Sequence, residues 1–383
     1  MSAADDPPTI LQILPSLETG GVERGTIEMT HAIVAAGGRA LVASAGGRLV
    51  PQVERAGGRH IVLPLMTKDP VNILVNSFSI GRLIKRSQVR LVHARSRAPA
   101  WSAWMAARRA NVPFVTTWHG VYSEGFPGKH FYNAIMARGE RVIAISHYVA
   151  SVLEARYRVD PRRVRIIPRG VDPAIFSPEV TGGDRVHRLA QAWRLPPGAP
   201  VVMLPARLTR WKGAELLLEA ASGLSRHGFD DMFVVFVGGD QGRVEYRRQL
   251  EQRAERLGLA GRVRLVGNCD DMPAALMLAD VVVCPSLKPE PFGRAVVEAQ
   301  AMERPVIAAN HGGAAETVFD GETGWRVTPG DAGALGEVIA HVLRLSADER
   351  AALGARARAS VLTQFTTAAM QQATLNVYGE VLR

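Results

Sequence analysis

Short runs of aliphatic and β-branched residues alternate along the chain with longer amphipathic segments. The runs 9–14 (TILQIL) and 280–285 (DVVVCP) are examples, and each is followed by a Gly- or Pro-bearing loop and then by a helical pattern. Continuous apolar runs of this length are typical of strands that are buried on both faces of a parallel sheet. The alternation therefore predicts strand–loop–helix units of the α/β class.

The strand–helix alternation occurs in two successive arrays, which indicates two domains. The polar span 178–184 carries Pro and Gly between the arrays, so it is the predicted linker. The predicted limits are 1–178 for the first domain and 179–365 for the second, with a last helical segment at 366–383. A chain of 383 residues is long enough for two cores, and we expect two doubly wound parallel-sheet domains with a cleft between them.

The composition is that of an ordinary globular protein, with 47% hydrophobic and 21% charged residues. No apolar run approaches the roughly 20 residues of a membrane-spanning helix, and the residues MSAADDPP at the N-terminus do not resemble a signal peptide. Cys269 and Cys284 lie in predicted strand contexts without metal-ligand spacing, so reduced interior thiols are expected. Together these features predict a cytoplasmic location.

The net charge of +10 is unevenly distributed along the chain. Residues 1–178 contain 23 Lys and Arg against 12 Asp and Glu, a net of +11, whereas residues 179–383 contain 23 against 24, a net of −1. The excess predicts an anionic partner for the first domain, such as acidic lipid, phosphorylated glycolipid or nucleic acid, unless it reflects a generally basic proteome. Aromatic residues do not interleave with the basic clusters, so nucleic acid is not expected.

The segment 69–90 combines an apolar pattern with a basic end. Its last residues include Arg82, Lys85, Arg86 and Arg90. An amphipathic basic helix of this kind can lie on an anionic membrane surface. It can equally be a helix packed on the sheet with a solvated charged face, and the pattern leaves both interpretations open.

The stretch 288–318 (KPEPFGRAVVEAQAMERPVIAANHGGAAETV) predicts a loop, a helix, a strand and a second Gly-rich loop. Pro289 and Pro291 keep the first loop out of a helix, and Gly293 allows the backbone to approach a ligand closely. The helix is predicted to begin at about Arg294. Because its first N–H groups lack intrahelical partners, that end is suited to bind phosphate.

Two glutamates flank this loop eight positions apart. Glu290 precedes the helix and Glu298 lies a turn into it, so both side chains can point into the same crevice. Carboxylates accept hydrogen bonds from vicinal hydroxyls, while a helix N-terminus binds a diphosphate. A nucleotide sugar has both groups. The alternative is a surface helix with ordinary solvated glutamates.

Two other strand-end loops of the second domain carry candidate ligand groups, at the edge where open α/β sheets bind ligands. Arg207 and Lys212 straddle the loop after the strand at 200–204, and two such cations can hold a diphosphate from two sides. The strand at 231–239 ends in glycines that include Gly238.

The first domain has two comparable strand ends. Gly20 and Gly21 separate the first strand from its helix, and a glycine pair there suits an anion that approaches backbone amides. The pair is not part of a G-x-G-x-x-G motif, so it does not support dinucleotide binding. His119 ends the strand 113–119 and begins a Gly-containing loop, which favours a ligand contact over a structural role.

The string E-P-F-G with its E-x7-E glutamates, followed by PVIA and GG-x-x-E, resembles the donor-binding signature of the family 4 glycosyltransferases. The R…K-G residues Arg207 and Lys212 and the HG at His119 match the same family, and the likeness covers nearly the whole chain. In the family's N-G-V-D segment this chain has Arg169 where Asn is commoner, which puts any side-chain role at that position in doubt. The resemblance implies the GT-B fold, with an acceptor-binding first domain, a donor-binding second domain and a last helix that packs back on the first.

The resemblance also implies a role for each candidate residue. Glu298 is expected to hold the ribose hydroxyls, and Glu290 the hydroxyls of the donor sugar. Arg207 and Lys212 are expected to stabilise charge on the leaving diphosphate, and His119 to approach the donor sugar. The other expected donor contacts are Gly20, Gly21, Gly238, Phe292, Gly293, Arg294 and Ala295. The side chain of Arg294 either adds a cation near the donor or faces solvent.

The activity expected from this resemblance is retaining transfer of a hexose-type sugar from a UDP- or GDP-linked donor. The basic charge of the first domain makes a lipopolysaccharide-core, lipid-linked or cell-surface glycan the expected acceptor, reached at the inner face of the cytoplasmic membrane. The chain has no D-x-D motif and no cluster with metal-ligand spacing, so no metal and no cofactor besides the donor substrate are expected. A nucleotide-sugar 2-epimerase of the same fold and a non-catalytic basic membrane adaptor are the alternatives, and the complete donor set favours transfer over both.

Overall fold

The computed structural model describes residues 7–18, 20–122, 124–125 and 128–382. The chain forms two compact units, of which the first comprises Met1–Pro168 with Thr367–Arg383 and the second comprises Arg169–Thr366. The change of unit after Pro168 precedes the predicted linker. Val171 already belongs to the second unit, since its N–H donates to the carbonyl oxygen of Phe365 at 2.9 Å. Each unit holds one parallel sheet flanked by helices, which confirms the predicted α/β class with two Rossmann-like domains.

The first unit is built on a seven-stranded parallel sheet in the order β3-β2-β1-β4-β5-β6-β7. Its strands are β1 (Thr9–Ile13), β2 (Arg39–Ser44), β3 (Arg59–Val62), β4 (Val89–Ala94), β5 (Phe114–Trp118), β6 (Arg141–Ala144) and β7 (Val164–Ile166). From β1 the chain adds β2 and β3 on one side and then returns to add β4 on the other. The carboxyl ends of β1 and β4 therefore form the topological switch point of this sheet.

Polar side chains at the N-termini of two helices of the first unit set where those helices begin. Asp69 accepts a hydrogen bond from the N–H of Asn72 at the start of α3 (Pro70–Arg86), and Ser146 accepts one from Val149 at the start of α6 (His147–Tyr157). Each such cap stabilises a helix by about 1 kcal/mol. The helices of this unit are α1 (Gly21–Ala35), α2 (Val50–Arg55), α3 (Pro70–Arg86), α4 (Arg97–Ala110), α5 (Lys129–Ala134), α6 (His147–Tyr157) and, from the end of the chain, α15 (Thr367–Leu382).

The helix α15 packs on the core of the first unit. Met370, Val377 and Tyr378 lie in one buried cluster with Met29 and Ile33 of α1. Burial of side chains of this size contributes about 1.5–3 kcal/mol each. The last helix is therefore a structural part of the first unit.

Glu380 on α15 connects this helix to two neighbouring strands of the first unit. Its carboxylate accepts hydrogen bonds from Arg165 on β7 and from Arg141 on β6, both at 2.7 Å. Hydrogen bonds from these two guanidinium groups lower the pKa of Glu380 to about 2. Because the folded-state pKa is depressed, the stabilisation is complete above the ordinary pKa of Glu and is lost as the pH falls towards about 2.

We expect Glu380→Gln to lower the free energy of unfolding at neutral pH by about 1–2 kcal/mol, a value reduced for the solvent that screens a side chain 31% exposed. Chemical unfolding of both proteins over a series of pH values measures this difference, which is expected to narrow as the pH is lowered. The control is Glu251→Gln, which breaks an exposed i,i+4 pair with Arg247 and is expected to change stability little. A pH-independent difference for Glu380→Gln would contradict the ion-pair interpretation.

The second unit contains a six-stranded parallel sheet in the order β10-β9-β8-β11-β12-β13. Its strands are β8 (Val201–Pro205), β9 (Phe233–Val237), β10 (Val263–Gly267), β11 (Val281–Cys284), β12 (Val306–Ala309) and β13 (Trp325–Val327). Here β8 and β11 are the neighbours between which the order of strand addition reverses. Their carboxyl ends form the switch point of this sheet.

The helices of the second unit flank its sheet and contribute buried side chains such as Leu217 and Ile339 to its core. They are α7 (Gly183–Ala192), α8 (Ala214–Ser222), α9 (Val244–Arg256), α10 (Met272–Met277), α11 (Arg294–Ala301), α12 (Gly312–Ala315), α13 (Ala332–Arg344) and α14 (Ala347–Gln364). Within the described ranges of the chain, none of the helices is both long and apolar enough to cross a membrane.

Candidate active site

The loops after β8 and β11 meet at the switch point of the second unit. The N–H of Leu287, after β11, donates to the carbonyl oxygen of Trp211, after β8, at 2.7 Å. This hydrogen bond joins the loop that carries Lys212 to the loop that carries Glu290. Two predicted groups that are 78 positions apart in the sequence therefore lie together because β8 and β11 are adjacent strands.

Lys212 and Glu290 form an ion pair in which Nζ and Oε2 are 2.8 Å apart. Their side chains are 17% and 12% exposed, so solvent screens the pair little. The hydroxyl of Ser286 also donates to Glu290, and His311 Nε2 donates to the carbonyl oxygen of Ser286 at 2.7 Å. The Glu290 carboxylate is thus held in one position by a cation and a hydroxyl group.

The second Gly-rich loop supports the loop that contains Glu290. The N–H of Gly313 donates to the carbonyl oxygen of Glu290 at 2.7 Å. A Cβ on Gly312, whose φ is +66°, would lie 2.6 Å from that same carbonyl oxygen. The close approach of the two backbones explains why the GG-x-x-E segment accompanies the E-P-F-G string.

The helix α11 begins where it was predicted to begin, at Arg294, with Ala295 as its second residue. Gly293 precedes it with a φ of +91°, in the left-handed region, and a Cβ there would lie 2.7 Å from the Cβ of Ala314. The side chain of Phe292 is buried, with its ring 5.8 Å from that of Phe365. The predicted donor contacts of Phe292 are those of its backbone, while its side chain anchors the loop in the core.

Arg294 and Glu298 form a second ion pair, one turn apart on α11. The distance from Nε to Oε1 is 3.0 Å, and the Glu298 side chain is 11% exposed. The two candidate carboxylates, Glu290 and Glu298, therefore each have a cation beside them in a partly buried site. The sequence analysis did not predict this ion pair. The i,i+4 spacing of Arg294 and Glu298 on the predicted helix was the signal that could have indicated it.

Arg207 lies on the other side of the β8 loop from Lys212. Its guanidinium is exposed and is 3.5 Å from Oε1 of Gln241 in the loop after β9. Gly238 directly follows β9, and a Cβ there would overlap the carbonyl oxygen of Ala206. The structure thus brings Lys212 to Glu290 and leaves Arg207 beside Gly238 and Gln241.

Cys284 ends β11 close to Lys212 and Glu290. Burial raises the pKa of its thiol to about 12, and the nearby carboxylate of Glu290 acts in the same direction. The thiol is therefore protonated at neutral pH and is a poor nucleophile. Cys284 and Cys269 are free cysteines, and both are partly exposed, whereas interior positions were expected from the sequence.

The predicted residues of the first unit lie at the carboxyl edge of its sheet. Gly20 and Gly21 come before and at the start of α1, and His119 directly follows β5. The strand β4 lies between β1 and β5 in the sheet, so it separates the two predicted sites. Their ligand roles stay predictions.

Sequence reasoning missed Arg95, which directly follows β4 at this same edge. Its side chain is 2% exposed, and its Nη1 donates to Oε1 of Gln12 on β1 at 3.0 Å. Burial lowers the pKa of the guanidinium, and its Nε has no hydrogen-bond partner among the described residues. The position of Arg95 directly after a predicted parallel strand could have indicated a ligand contact. Its burial could not be predicted, because it depends on the order of the strands in the sheet.

No group of three or more His, Cys, Asp or Glu side chains is arranged to hold a metal ion in the part of the chain that the structure describes. Metal independence and the absence of a cofactor stay predictions.

Comparisons with known proteins identify the family of the chain. The model of Glycosyltransferase Family 4 matches residues 19–175, and the model of Glycosyl transferases group 1 matches residues 187–360. A D-inositol 3-phosphate glycosyltransferase of Salinispora tropica is 32% identical over 367 residues, which cover 87% of this chain and 75% of that protein.

Solved structures extend the likeness to the fold. A glycosyltransferase from Rickettsia africae has a TM-score of 0.91 at 34% identity, with 99% of both chains covered. Anabaena Alr3699/HepE, whose crystal structure contains UDP-glucose, has a TM-score of 0.84 at 25% identity, with 97% of this chain and 99% of that chain covered. The family models, and the identity and coverage of these relatives, show that the chain belongs to the family 4 glycosyltransferases. These are enzymes with the two Rossmann-like domains of the GT-B fold.

Proposed function

We propose that this glycosyltransferase uses a nucleoside-diphosphate sugar as donor and retains the anomeric configuration of the sugar that it transfers. The proposal rests on two largely buried ion pairs at the switch point of the second unit, Lys212–Glu290 and Arg294–Glu298. Their cations suit a diphosphate, and their carboxylates suit sugar and ribose hydroxyls. The UDP-glucose in the structure of the Anabaena relative supports a UDP-linked hexose.

In the proposed reaction, the bond between the anomeric carbon and the diphosphate oxygen breaks, and its electron pair leaves with the diphosphate. The acceptor hydroxyl oxygen forms the new bond on the same face of the sugar, and its proton passes to the departing phosphate oxygen. Lys212 and Arg207 stabilise the charge that develops on the diphosphate. Glu290 accepts from hydroxyls of the donor sugar, and Glu298 accepts from those of the ribose.

We propose that the acceptor is anionic and is a lipopolysaccharide-core or lipid-linked glycan. The net charge of +11 over residues 1–178 supports an anionic acceptor. The name of the Salinispora tropica relative, D-inositol 3-phosphate glycosyltransferase, supports a second anionic class, a phosphorylated polyol. Transfer assays with a glycan acceptor and with a phosphorylated polyol distinguish these two acceptor classes. A donor sugar that is epimerised at C2 in the absence of any acceptor would identify a 2-epimerase instead.

We expect UDP to raise the melting temperature of the wild-type protein and to have little effect on Glu298→Ala. A ligand that binds the folded state stabilises it by mass action, by about 2.7 kcal/mol at a concentration of one hundred times Kd. Thermal unfolding with UDP, GDP and ADP, with and without the attached sugars, measures the shift in melting temperature that each ligand causes. The shifts test the donor site and show which base it prefers.

The control for this titration is Glu255→Ala, which removes an exposed carboxylate from α9 and is expected to leave the UDP response unchanged. A response to GDP in place of UDP would change the base in the proposal but keep the donor site. If no nucleotide stabilises the wild-type protein, the donor site proposed at α11 is wrong.

A further inference from the structure

The solvent-facing side of α3 is apolar along its first two turns. Leu74 is 47% exposed and Phe78 52%, while Asn76 and Ser77, on the buried side of the same turns, are 2% and 0% exposed. The four exposed apolar residues follow one another at helical spacing: Val71, Leu74, Val75 and Phe78. The buried side of α3 is polar in these turns, and its buried apolar residues, Ile80 and Ile84, lie only in the second half of the helix. The first half therefore reverses the usual arrangement, in which the apolar face of a helix packs on the sheet.

Hydrogen bonds on the buried side hold α3 in this orientation. The side chain of Asn76 donates to the carbonyl oxygen of Pro64 at 2.9 Å, and Ser77 Oγ accepts from Arg109 of α4 at 2.9 Å. The hydroxyl of Ser102 on α4 donates to the carbonyl oxygen of Ile73 at 2.8 Å. Rotation of α3 to bury its apolar side would leave these polar groups unpaired, at a cost of about 1–3 kcal/mol each.

Aromatic rings and guanidinium groups of α4 and α5 continue this surface. Arg109 lies over the ring of Phe78 at 4.5 Å, and the neighbouring Arg108 lies over Trp104 at 5.3 Å. Phe131 of α5 is 63% exposed, and its ring centroid is 5.3 Å from that of Trp101, which contacts Trp104. Arg138, which follows α5 in the chain, also lies over the ring of Trp104, at 4.8 Å. We name as the α3–α5 face the residues Val71, Leu74, Val75, Phe78, Arg82, Lys85, Trp101, Trp104, Arg108, Arg109, Phe131 and Arg138.

The charge of this part of the chain is almost entirely of one sign. Residues 70–139 contain ten Lys and Arg and one acidic residue, Glu124, which is a net of +9 out of the +10 of the whole chain. The helices α3, α4 and α5 contain no Asp or Glu. Arg82 and Lys85 lie four and seven positions after Phe78, so cations continue the apolar side of α3 along the same face.

We propose that the α3–α5 face docks the first unit on an anionic phospholipid surface. Aliphatic and aromatic side chains enter the boundary between headgroups and acyl chains, and the flanking cations bind lipid phosphates. A nucleic acid would match the cations but not the exposed aliphatic residues, and a second copy of this chain would bring like charges together. The proposal is independent of the transfer reaction.

The test is co-sedimentation of the full chain with vesicles of phosphatidylcholine mixed with phosphatidylglycerol, and with vesicles of phosphatidylcholine alone. We expect binding to the anionic vesicles, weakened by added salt, and little binding to the neutral ones. Leu74→Ser with Phe78→Ser is expected to weaken binding about tenfold or more, because both side chains lose their apolar burial in the lipid. Arg82→Gln with Lys85→Gln is expected to weaken it about thirtyfold, since each cation near such a surface contributes about 1 kcal/mol.

The matched control is Val244→Ser, which removes an apolar side chain that is 67% exposed on α9 of the second unit. We expect this variant to bind like the wild type. Cooperative thermal unfolding without ligand, measured on every variant, shows that the chain is folded whether or not it binds vesicles. Equal binding to neutral and anionic vesicles, no binding to either, or unchanged binding by the α3 variants would overturn the proposal. So would sedimentation equilibrium that shows a dimer dissociated by Leu74→Ser with Phe78→Ser, which would identify the face as an interface between copies.

Discussion

Replacement of Lys212 by alanine is expected to lower kcat by about 10²–10³-fold, the usual effect of removing one preorganised group that stabilises transition-state charge. Lys212 is placed for this role because its ammonium group is 17% exposed and fixed 2.8 Å from Glu290, so it needs little reorganisation when charge develops on the diphosphate. Steady-state kinetics with donor and acceptor measure the loss. The matched control is Arg210→Ala, two residues away, which removes a cation that is 66% exposed and paired with Glu215. It is expected to change kcat little.

A second variant distinguishes a catalytic role of Lys212 from a role in neutralising the partly buried carboxylate of Glu290. Lys212→Ala leaves Glu290, which is 12% exposed, without its cation, and this alone disturbs the loop. In Lys212→Ala with Glu290→Gln, that charge is removed as well. Because Glu290→Gln alone also removes a proposed contact to the donor sugar, the double variant is compared with that single variant. If Lys212 acts on the diphosphate, the double variant is slower than Glu290→Gln alone by about the same 10²–10³-fold. If the two are equally fast, the role of Lys212 is to neutralise Glu290, and its proposed catalytic role is wrong.

The second large effect is expected at Gly293, where alanine should lower the free energy of unfolding by about 2–4 kcal/mol. Roughly 1–2 kcal/mol of this comes from the left-handed backbone at φ +91°, and the rest from overlap with Ala314, 2.7 Å from the added Cβ. The overlap pushes α12 away from the start of α11, so the loop that carries Glu290 moves with it. A displacement of about 1 Å there is expected to cost about 10² in kcat.

Gly330→Ala is the matched control for Gly293→Ala. Gly330 has a similar φ of +83°, but no atom lies within 4 Å of an added Cβ. It therefore incurs the backbone strain without the overlap, and we expect about 1–2 kcal/mol of destabilisation and unchanged kcat. Chemical unfolding and steady-state kinetics of the two variants give the comparison. Equal effects at the two positions would mean that the contact with Ala314 does not position the active-site loop.

Local signals in the sequence were sufficient to predict several strands of both sheets and the start of α11. The run 9–14 corresponds to β1 (Thr9–Ile13), and the helix predicted from about Arg294 is α11 (Arg294–Ala301). Both depend on neighbouring residues: a continuous apolar run in one case, and in the other a glycine that can adopt a positive φ before a helix. The GG-x-x-E segment was recognised as part of the motif, but the backbone approach that requires Gly312 was visible only in the structure.

Features that depend on contacts distant in the sequence could not be predicted. Periodicity showed that α3 is amphipathic, but not that Leu74 and Phe78 face solvent while Ile80 is buried. This orientation is held by hydrogen bonds from Asn76 to Pro64 and from Arg109 to Ser77. The burial of Arg95 follows from the adjacency of β4 and β1. The change of unit after Pro168 reflects pairing of the following segment with residues near 365, almost two hundred positions later.

The position of α15 in the chain has a consequence for synthesis on the ribosome. Thr367–Arg383 completes the first unit, yet every residue of the second unit, Arg169–Thr366, is translated before it. Domains generally fold as they emerge, in order from the N-terminus. The second unit can therefore finish folding during translation, while the first waits with the core positions around Met29 and Ile33 uncovered until its last helix arrives. A nascent chain of this enzyme exposes apolar surface longest in the unit that is made first.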